Sequence, residues 1–242
     1  MISGEVVVGK ICLFICQKVA GVVVKLSFDK RKKACRSLTK LYYCMQGLDD
    51  VTESVFQHVQ MNYSAQTDQA SIVMTALSAH LHEIELATNM FVDLGSELYR
   101  GLEIIDPALA QCCDALYAGK GGFLTQMSKA IVWEGSGRSG QLIIKMPRET
   151  VDLTELENAY SKAKAALQCG ELLYWPDTLG LEEDQKEVIL SWEDDVSAEN
   201  FIKKLAQHRE VLLDAKEKLR ELLKSSFSIE EVLFQTDTHP YR

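Results

Sequence analysis

The chain has 242 residues, of which 47% are hydrophobic and 25% charged, and its formal net charge is −9. That length is enough to bury a full hydrophobic core, in one large domain or two smaller ones. The acidic balance argues against specific nucleic-acid binding, because contacts with phosphates need a basic face. The seven cysteines show no disulfide-like spacing, so they predict reduced, mostly buried thiols in an intracellular protein.

The first forty residues are basic, whereas the rest of the chain is acidic. They carry nine basic and two acidic side chains, which gives +7, and the remaining 202 residues carry 17 basic and 33 acidic side chains, which gives −16. The same segment contains the most apolar run of the chain, between Val6 and Leu26. An apolar helix followed by a basic cluster is typical of a surface that meets anionic lipid.

On a helical wheel, residues 3–26 form a wide apolar face with a narrow cationic stripe that contains Lys10, Lys18 and Lys25. A simple membrane span is disfavoured, because any window of about 20 residues holds at least two of these lysines. An interfacial helix avoids that cost by extending its lysines towards water, and an oligomer with a polar lumen is another solution. Two alternatives stay open: a helix buried in a bundle, and a β-hairpin built from the valine runs 6–8 and 22–24.

Two long helices are predicted next. Asp29 is expected to cap the first, which extends to about Tyr63, because apolar residues recur there at spacings of three and four. The second is predicted from about Asp68 to Arg100. Two such helices with a brief connection form an antiparallel αα-hairpin about 45–50 Å long.

Shorter elements follow. Asp106 and Pro107 begin a short helix, and three apolar runs at 130–134, 141–146 and 187–192 are typical of strands. Further helices are predicted from Thr150 or Asp152 to Cys169, from Ser197 to Lys224 and from Ser228 to Phe234. The predicted fold class is therefore mainly α, with a long-helix bundle over residues 1–126 and a smaller α+β lobe over 127–242. The glycine-rich segment 135–140 lies near the predicted boundary between the two lobes, where the chain is expected to be accessible. Limited proteolysis is therefore expected to cleave at Arg138.

Neither the histidines nor the glycine-rich segment suggests a chemical site. His80 and His82 would lie about 200° apart on a helix and could not chelate one ion. Segment 135–140 is not followed by the Gly-Lys-Ser/Thr sequence of a phosphate-binding loop. The acidic runs 182–184 and 193–195 are interpreted as solvated loops, with the docking of a basic partner as the alternative.

The cysteines also lack the spacing of a metal site. Cys12 and Cys16 share a helix face without a second pair, and the adjacent Cys112 and Cys113 are expected not to face the same core. We predict no catalytic residue, no metal and no cofactor, and an enzyme is the least favoured class of protein.

The leading hypothesis is a non-enzymatic helical protein that acts at the inner membrane surface, as an anchor or a membrane-perturbing effector. Its contact residues would be the basic side chains of the amphipathic helix and the cluster after it: Lys10, Lys18, Lys25, Lys30, Arg31, Lys32, Lys33 and Arg36. The alternative is a soluble helical adaptor or assembly subunit that binds a protein partner and buries its N-terminal helix. Broad apolar helix faces also predict a homo-oligomer, and the location expected is cytoplasmic or peripheral at the inner membrane.

Overall fold

A computed structural model of the chain describes residues 4–64, 66–113, 131–136, 139–146, 151–171, 186–192 and 194–236. The described chain is mainly α-helical, as predicted. The helices are α1 Gly4–Val19, α2 Phe28–Asn62, α3 Gln69–Ala79, α4 Leu81–Ile105, α5 Pro107–Cys112, α6 Leu153–Cys169, α7 Asp195–Ser226 and α8 Ile229–Thr236. A 3₁₀ turn lies at Val23–Lys25. Strands β1 Ile131–Ser136, β2 Ser139–Met146 and β3 Lys186–Ser191 form an antiparallel sheet in the order β1-β2-β3.

Local capping signals account for several helix ends. At the start of α5, Asp106 Oδ1 accepts hydrogen bonds from the backbone N–H groups of Ala108 and Leu109, at 2.9 Å and 3.4 Å. At the start of α6, Asp152 and Glu155 form a reciprocal capping box. Gly170 ends that helix with φ +76°, a left-handed conformation that glycine adopts without a steric penalty.

Two predicted caps are wrong by two or three residues. The N-cap of α2 is Ser27, so Asp29 lies inside the first turn instead of before it. The N-cap of α7 is Asp194, whose carboxylate accepts from the backbone N–H of Ser197 at 2.8 Å. Ser197 therefore donates to the cap instead of supplying it, because the helix begins before the residue that the apolar periodicity marks.

The second predicted long helix is divided at His80. The backbone of His80 leaves the helical conformation, with φ −101° and ψ 11°, between the end of α3 and the start of α4. The two segments have different neighbours, since α4 packs along α2 whereas α3 packs against both α2 and α7. The prediction of one helix from Asp68 to Arg100 is thus wrong at this point.

Helices α2 and α4 run in opposite directions at close range. The Ser37 hydroxyl donates to the Glu97 carbonyl at 3.0 Å, and the Cys44 thiol donates to the Met90 carbonyl at 3.5 Å. Gly101 permits this approach, because a Cβ atom there would lie 2.1 Å from Ser37 Oγ.

Helix α1 is packed inside the protein, against α7. A Cβ atom on Gly9 would lie only 3.1 Å from Val211 Cγ1, so the glycine brings the two helices together. The β-hairpin alternative is wrong, and the apolar face of α1 contacts protein instead of solvent. Its buried residues are Val7, Val8, Ile11, Cys12, Phe14, Ile15, Cys16 and Val19.

One hydrophobic cluster includes residues of α1, α2, α4 and α7. Helices on both sides of the predicted boundary at residues 126 and 127 therefore share a core, and the division into lobes stays a prediction. Arg138 and the acidic run 182–184 lie outside the described residues.

Candidate interaction surface

Helix directions bring residues 20–33 and the C-terminal helix α8 to one end of the molecule. Helices α1 and α7 run in parallel, since Gly9 lies against Val211 and the Cys12 thiol contacts the Ala215 carbonyl at 4.0 Å. Helix α2 runs in the opposite direction to α7. The end of α1, the start of α2 and helix α8 therefore meet at what we call the basic end, made of residues 20–33 and 227–236.

The opposite end of the molecule holds the start of α7. There the backbone N–H of Gln69 donates to Asp195 Oδ1 at 2.9 Å. Helix α7 is about 45 Å long, so this end is far from the basic end.

Lys18, one of the predicted contact residues, forms an ion pair within the protein. Its Nζ atom lies 2.7 Å from Glu157 Oε2 and 4.7 Å from the ring centroid of Tyr160. The same nitrogen lies 5.3 Å from the ring centroid of Phe14, which is fully buried. Lys18 therefore closes the contact between α1 and α6 and does not present its charge outwards. Lys10 is half-buried on the same helix.

Two predicted arginines are also paired with carboxylates. Arg31 makes a bidentate contact with Glu231, with Nε 3.0 Å from Oε1 and an Nη atom 3.1 Å from Oε2. This pairing lowers the pKa of Glu231. Arg36 lies 3.3 Å from Glu97, which also contacts Lys40. The predicted cluster is thus only partly available to a partner.

The predicted residues that remain after α1 are Lys25, Lys30, Lys32 and Lys33. Together with two apolar residues that the sequence did not single out, Val24 and Phe28, they form an exposed surface that we call the basic tip. Phe28 is 71% exposed and Val24 58% exposed, although both are large and apolar. The lysines are exposed as well, and Lys25, Lys30 and Lys33 form no ion pair with any residue in the described part of the chain. Asp29 is the exposed acidic side chain within the tip. Of the predicted site, the structure thus places Lys25, Lys30, Lys32 and Lys33 on one exposed surface.

Charged residues that the sequence did not single out meet between α2 and α7. Asp49 is 4% exposed, and its carboxylate contacts Arg209 Nε at 2.9 Å and Lys216 Nζ. Arg209 also contacts Glu53. These ion pairs join α2 to α7.

The other candidates for chemistry do not form a site. His80 Nδ1 lies 2.6 Å from Glu83 Oε2, and the ring of His58 lies 5.8 Å from that of His80. Among the residues that the structure describes, no group of histidine, cysteine or acidic side chains could hold a metal ion. No described helix has the length and hydropathy that would let it cross a membrane.

Six of the seven cysteines are free and buried, and Cys169 is free and exposed. Cys112 and Cys113 are both buried, so the expectation that they could not face the same core is wrong. Both belong to the same hydrophobic cluster, and the Cys112 thiol donates to the Leu156 carbonyl of α6 at 3.4 Å. A hydrogen bond with Cys16 and burial raise the pKa of Cys12 well above its usual range, and burial raises the pKa of Cys35 to about 11 and that of Cys44 to about 12.

We therefore expect a single fast-reacting thiol in the native protein. Thiolates are the reactive form of cysteine, and a raised pKa keeps buried thiols protonated at neutral pH. Titration with Ellman's reagent should detect Cys169 at once and the other six only in denaturant. The Cys169→Ser variant is the control and should show no fast thiol. Two fast thiols in the native protein would contradict the packing of α1, α2 or α5, the helix depending on which cysteine reacts.

The chain matches no protein-family model, no curated protein and no solved structure. The function has therefore to be inferred from its own surface.

Proposed function

We propose that this protein is non-enzymatic and docks on an anionic membrane surface through the basic tip. The observation that carries the proposal is the exposure of Val24 and Phe28 among four exposed lysines. This differs from the sequence hypothesis in one respect. The apolar face of α1 is buried, so the contact is assigned to the residues after α1 and not to the amphipathic helix itself.

The shape of the tip favours a lipid surface over a protein groove. Phe28 protrudes from the first turn of α2, and Val24 protrudes from the 3₁₀ turn. The space beside Gly21 is also open, because a Cβ atom there would meet nothing within 4 Å. A protruding apolar side chain fits the soft interface of a bilayer without a matching cavity. Lysines beside it would interact with anionic headgroups, and each contributes about 1 kcal/mol near such a surface.

The experiment is sedimentation of the full-length protein with vesicles of phosphatidylcholine, with and without phosphatidylserine. The triple variant Lys25→Gln, Lys30→Gln and Lys33→Gln should bind the anionic vesicles on the order of a hundredfold more weakly at low salt, since about 3 kcal/mol is removed. Binding should also weaken as salt shortens the Debye length to about 8 Å.

The matched control changes the net charge equally at another place. Lys162, Lys164 and Lys204 are exposed on α6 and α7, and their replacement by glutamine should leave vesicle binding unchanged. An equal loss in this control would mean that only net charge matters. Equal binding to vesicles with and without phosphatidylserine would refute the electrostatic part of the proposal.

A second candidate is the adaptor or assembly subunit, which the burial of α1 favours. In that case the basic tip would bind an acidic protein surface, and vesicle binding would be absent. We also keep three proposals from the sequence. The protein forms a homo-oligomer, and it is cytoplasmic or peripheral at the inner membrane. It has two lobes, an αα-hairpin lobe over residues 1–126 and an α+β lobe over residues 127–242.

A further inference from the structure

Helix α8 has an apolar face that no other part of the described chain covers. Ile229 is 75% exposed, and Leu233 and Phe234 are more than half exposed, although this helix is part of a protein that buries most of its large apolar side chains. Val232, on the other side of the helix, packs against the core. The helix is therefore anchored by one side and leaves apolar side chains in solvent on the other.

The anchoring contacts join α8 to the start of α2. Glu231 holds the bidentate contact with Arg31, and its carbonyl accepts from the Cys35 thiol at 3.8 Å. Ser228 and Glu231 form reciprocal hydrogen bonds, from Ser228 N–H to the carboxylate at 2.8 Å and from Glu231 N–H to the hydroxyl at 3.2 Å. One carboxylate thus caps α8 and fixes it to α2.

The exposed face of α8 is continuous with the basic tip. Lys32 Nζ lies 4.2 Å from the ring centroid of Phe234, so a lysine of the tip rests on an aromatic residue of α8. Phe28 lies one turn before Lys32 on α2. Apolar side chains from two distant parts of the chain, Phe28 and Phe234, therefore lie beside Lys32.

We infer that α8 is a second insertion element of the membrane-docking surface, with Ile229, Leu233 and Phe234 entering the lipid interface beside Phe28. This inference rests on the proposed function and extends it to a surface built from two distant parts of the chain. The occupant is an anionic bilayer because the exposed face of α8 is apolar and Lys32 of α2 lies against it, so that apolar insertion and attraction to anionic headgroups act at the same place.

Glu230 is the acidic side chain on the exposed face of α8. Hydrogen bonds from its own backbone N–H and from the Ser228 hydroxyl lower its pKa, so it stays charged at neutral pH at the helix N-terminus. Against an anionic surface this charge is unfavourable. Glu230→Gln should therefore strengthen binding about fivefold, an effect that a purely structural role of α8 would not produce.

The test labels single positions of the full-length chain with an environment-sensitive NBD fluorophore. In a Cys169→Ser background, Leu233→Cys reports on α8, Phe28→Cys reports on the tip, and Val196→Cys is the control. Val196 is 68% exposed at the start of α7, at the opposite end of the molecule. With phosphatidylserine-containing vesicles, the labels at 233 and 28 should brighten and be quenched by lipid-attached quenchers, whereas the label at 196 should not respond.

The outcomes separate this inference from the proposed function. If the label at 28 responds and the label at 233 does not, the role of α8 is wrong and membrane docking through the basic tip stands. If neither label responds, both the role of α8 and the proposed membrane docking are wrong. A response at 196 equal to that at 233 means non-specific adsorption and also overturns the inference.

Unlabelled variants provide the second measurement. Leu233→Ser should weaken vesicle binding about fivefold without lowering the melting temperature, and Val196→Ser should change neither. If Leu233→Ser instead dissociates an oligomer in buffer and leaves vesicle binding unchanged, a second copy of the chain covers this face and the inference is wrong.

Discussion

Replacing Asp49 by alanine is expected to destabilise the protein by about 3 kcal/mol or more. Asp49 is buried between α2 and α7, and its carboxylate is shared by Arg209 and Lys216. Without it, Arg209 keeps Glu53 as a partner, whereas Lys216 loses the ion pair that it forms in the described part of the chain and is left partly desolvated. Chemical denaturation monitored by circular dichroism measures the change.

The adjacent Asp50 is the matched control. It is exposed, and its carboxylate accepts from Gln46 on the same helix at 2.5 Å, so Asp50→Ala should cost less than about 0.5 kcal/mol. The double variant Asp49→Leu and Lys216→Leu should be more stable than Asp49→Ala, because it also removes an unpaired cation. A double variant less stable than the single one would show that packing, not charge, dominates here.

Replacing Phe14 by alanine is expected to cost about 3–5 kcal/mol, because the ring is fully buried between α1 and α6. In a chain of this size that corresponds to a fall in melting temperature of about 10 °C. Thermal denaturation measures the fall, and Gln17→Ala, an exposed position on the same helix, should be nearly neutral.

The Phe14 variant also distinguishes the two accounts of α1. If α1 is a core helix, Phe14→Ala lowers stability, and the protein that remains folded binds phosphatidylserine vesicles as tightly as the wild type. If α1 leaves the core and enters lipid at the membrane, Phe14→Ala lowers vesicle binding as well as stability. The second pattern would contradict the assignment of docking to the basic tip.

The local structure was accessible from the sequence, because helix periodicity and capping depend on residues only three or four positions apart. The helical class, α2 to within two residues at its start and one at its end, and the starts of α5 and α6 were predicted in this way. The break at His80 was not, since no proline or glycine marks it. It separates α3, which also packs on α7, from α4, which lies along α2.

Which charges stay available to a partner was decided only by the tertiary structure. Composition showed that the first forty residues carry +7, and the helical wheel placed Lys18 on an outward stripe. Packing then brought Glu157 to Lys18 and Glu231 to Arg31, partners 139 and 200 residues away in the chain. It left Lys25, Lys30 and Lys33 exposed beside Phe28.

The apolar character of α1 illustrates the same limit. The sequence predicted a helix with a wide apolar face over residues 3–26 and left a β-hairpin open, whereas α1 ends at Val19. Lipid and a protein core favour the same apolar pattern. The choice depended on Gly9, which lets α7 approach closely, and on α6, which supplies Glu157 and Tyr160 to cover Lys18. A wide apolar helix face is stabilised by burial against either lipid or protein. Which of the two it meets depends on the packing of distant helices, because each of those helices buries its own apolar surface in the same contact.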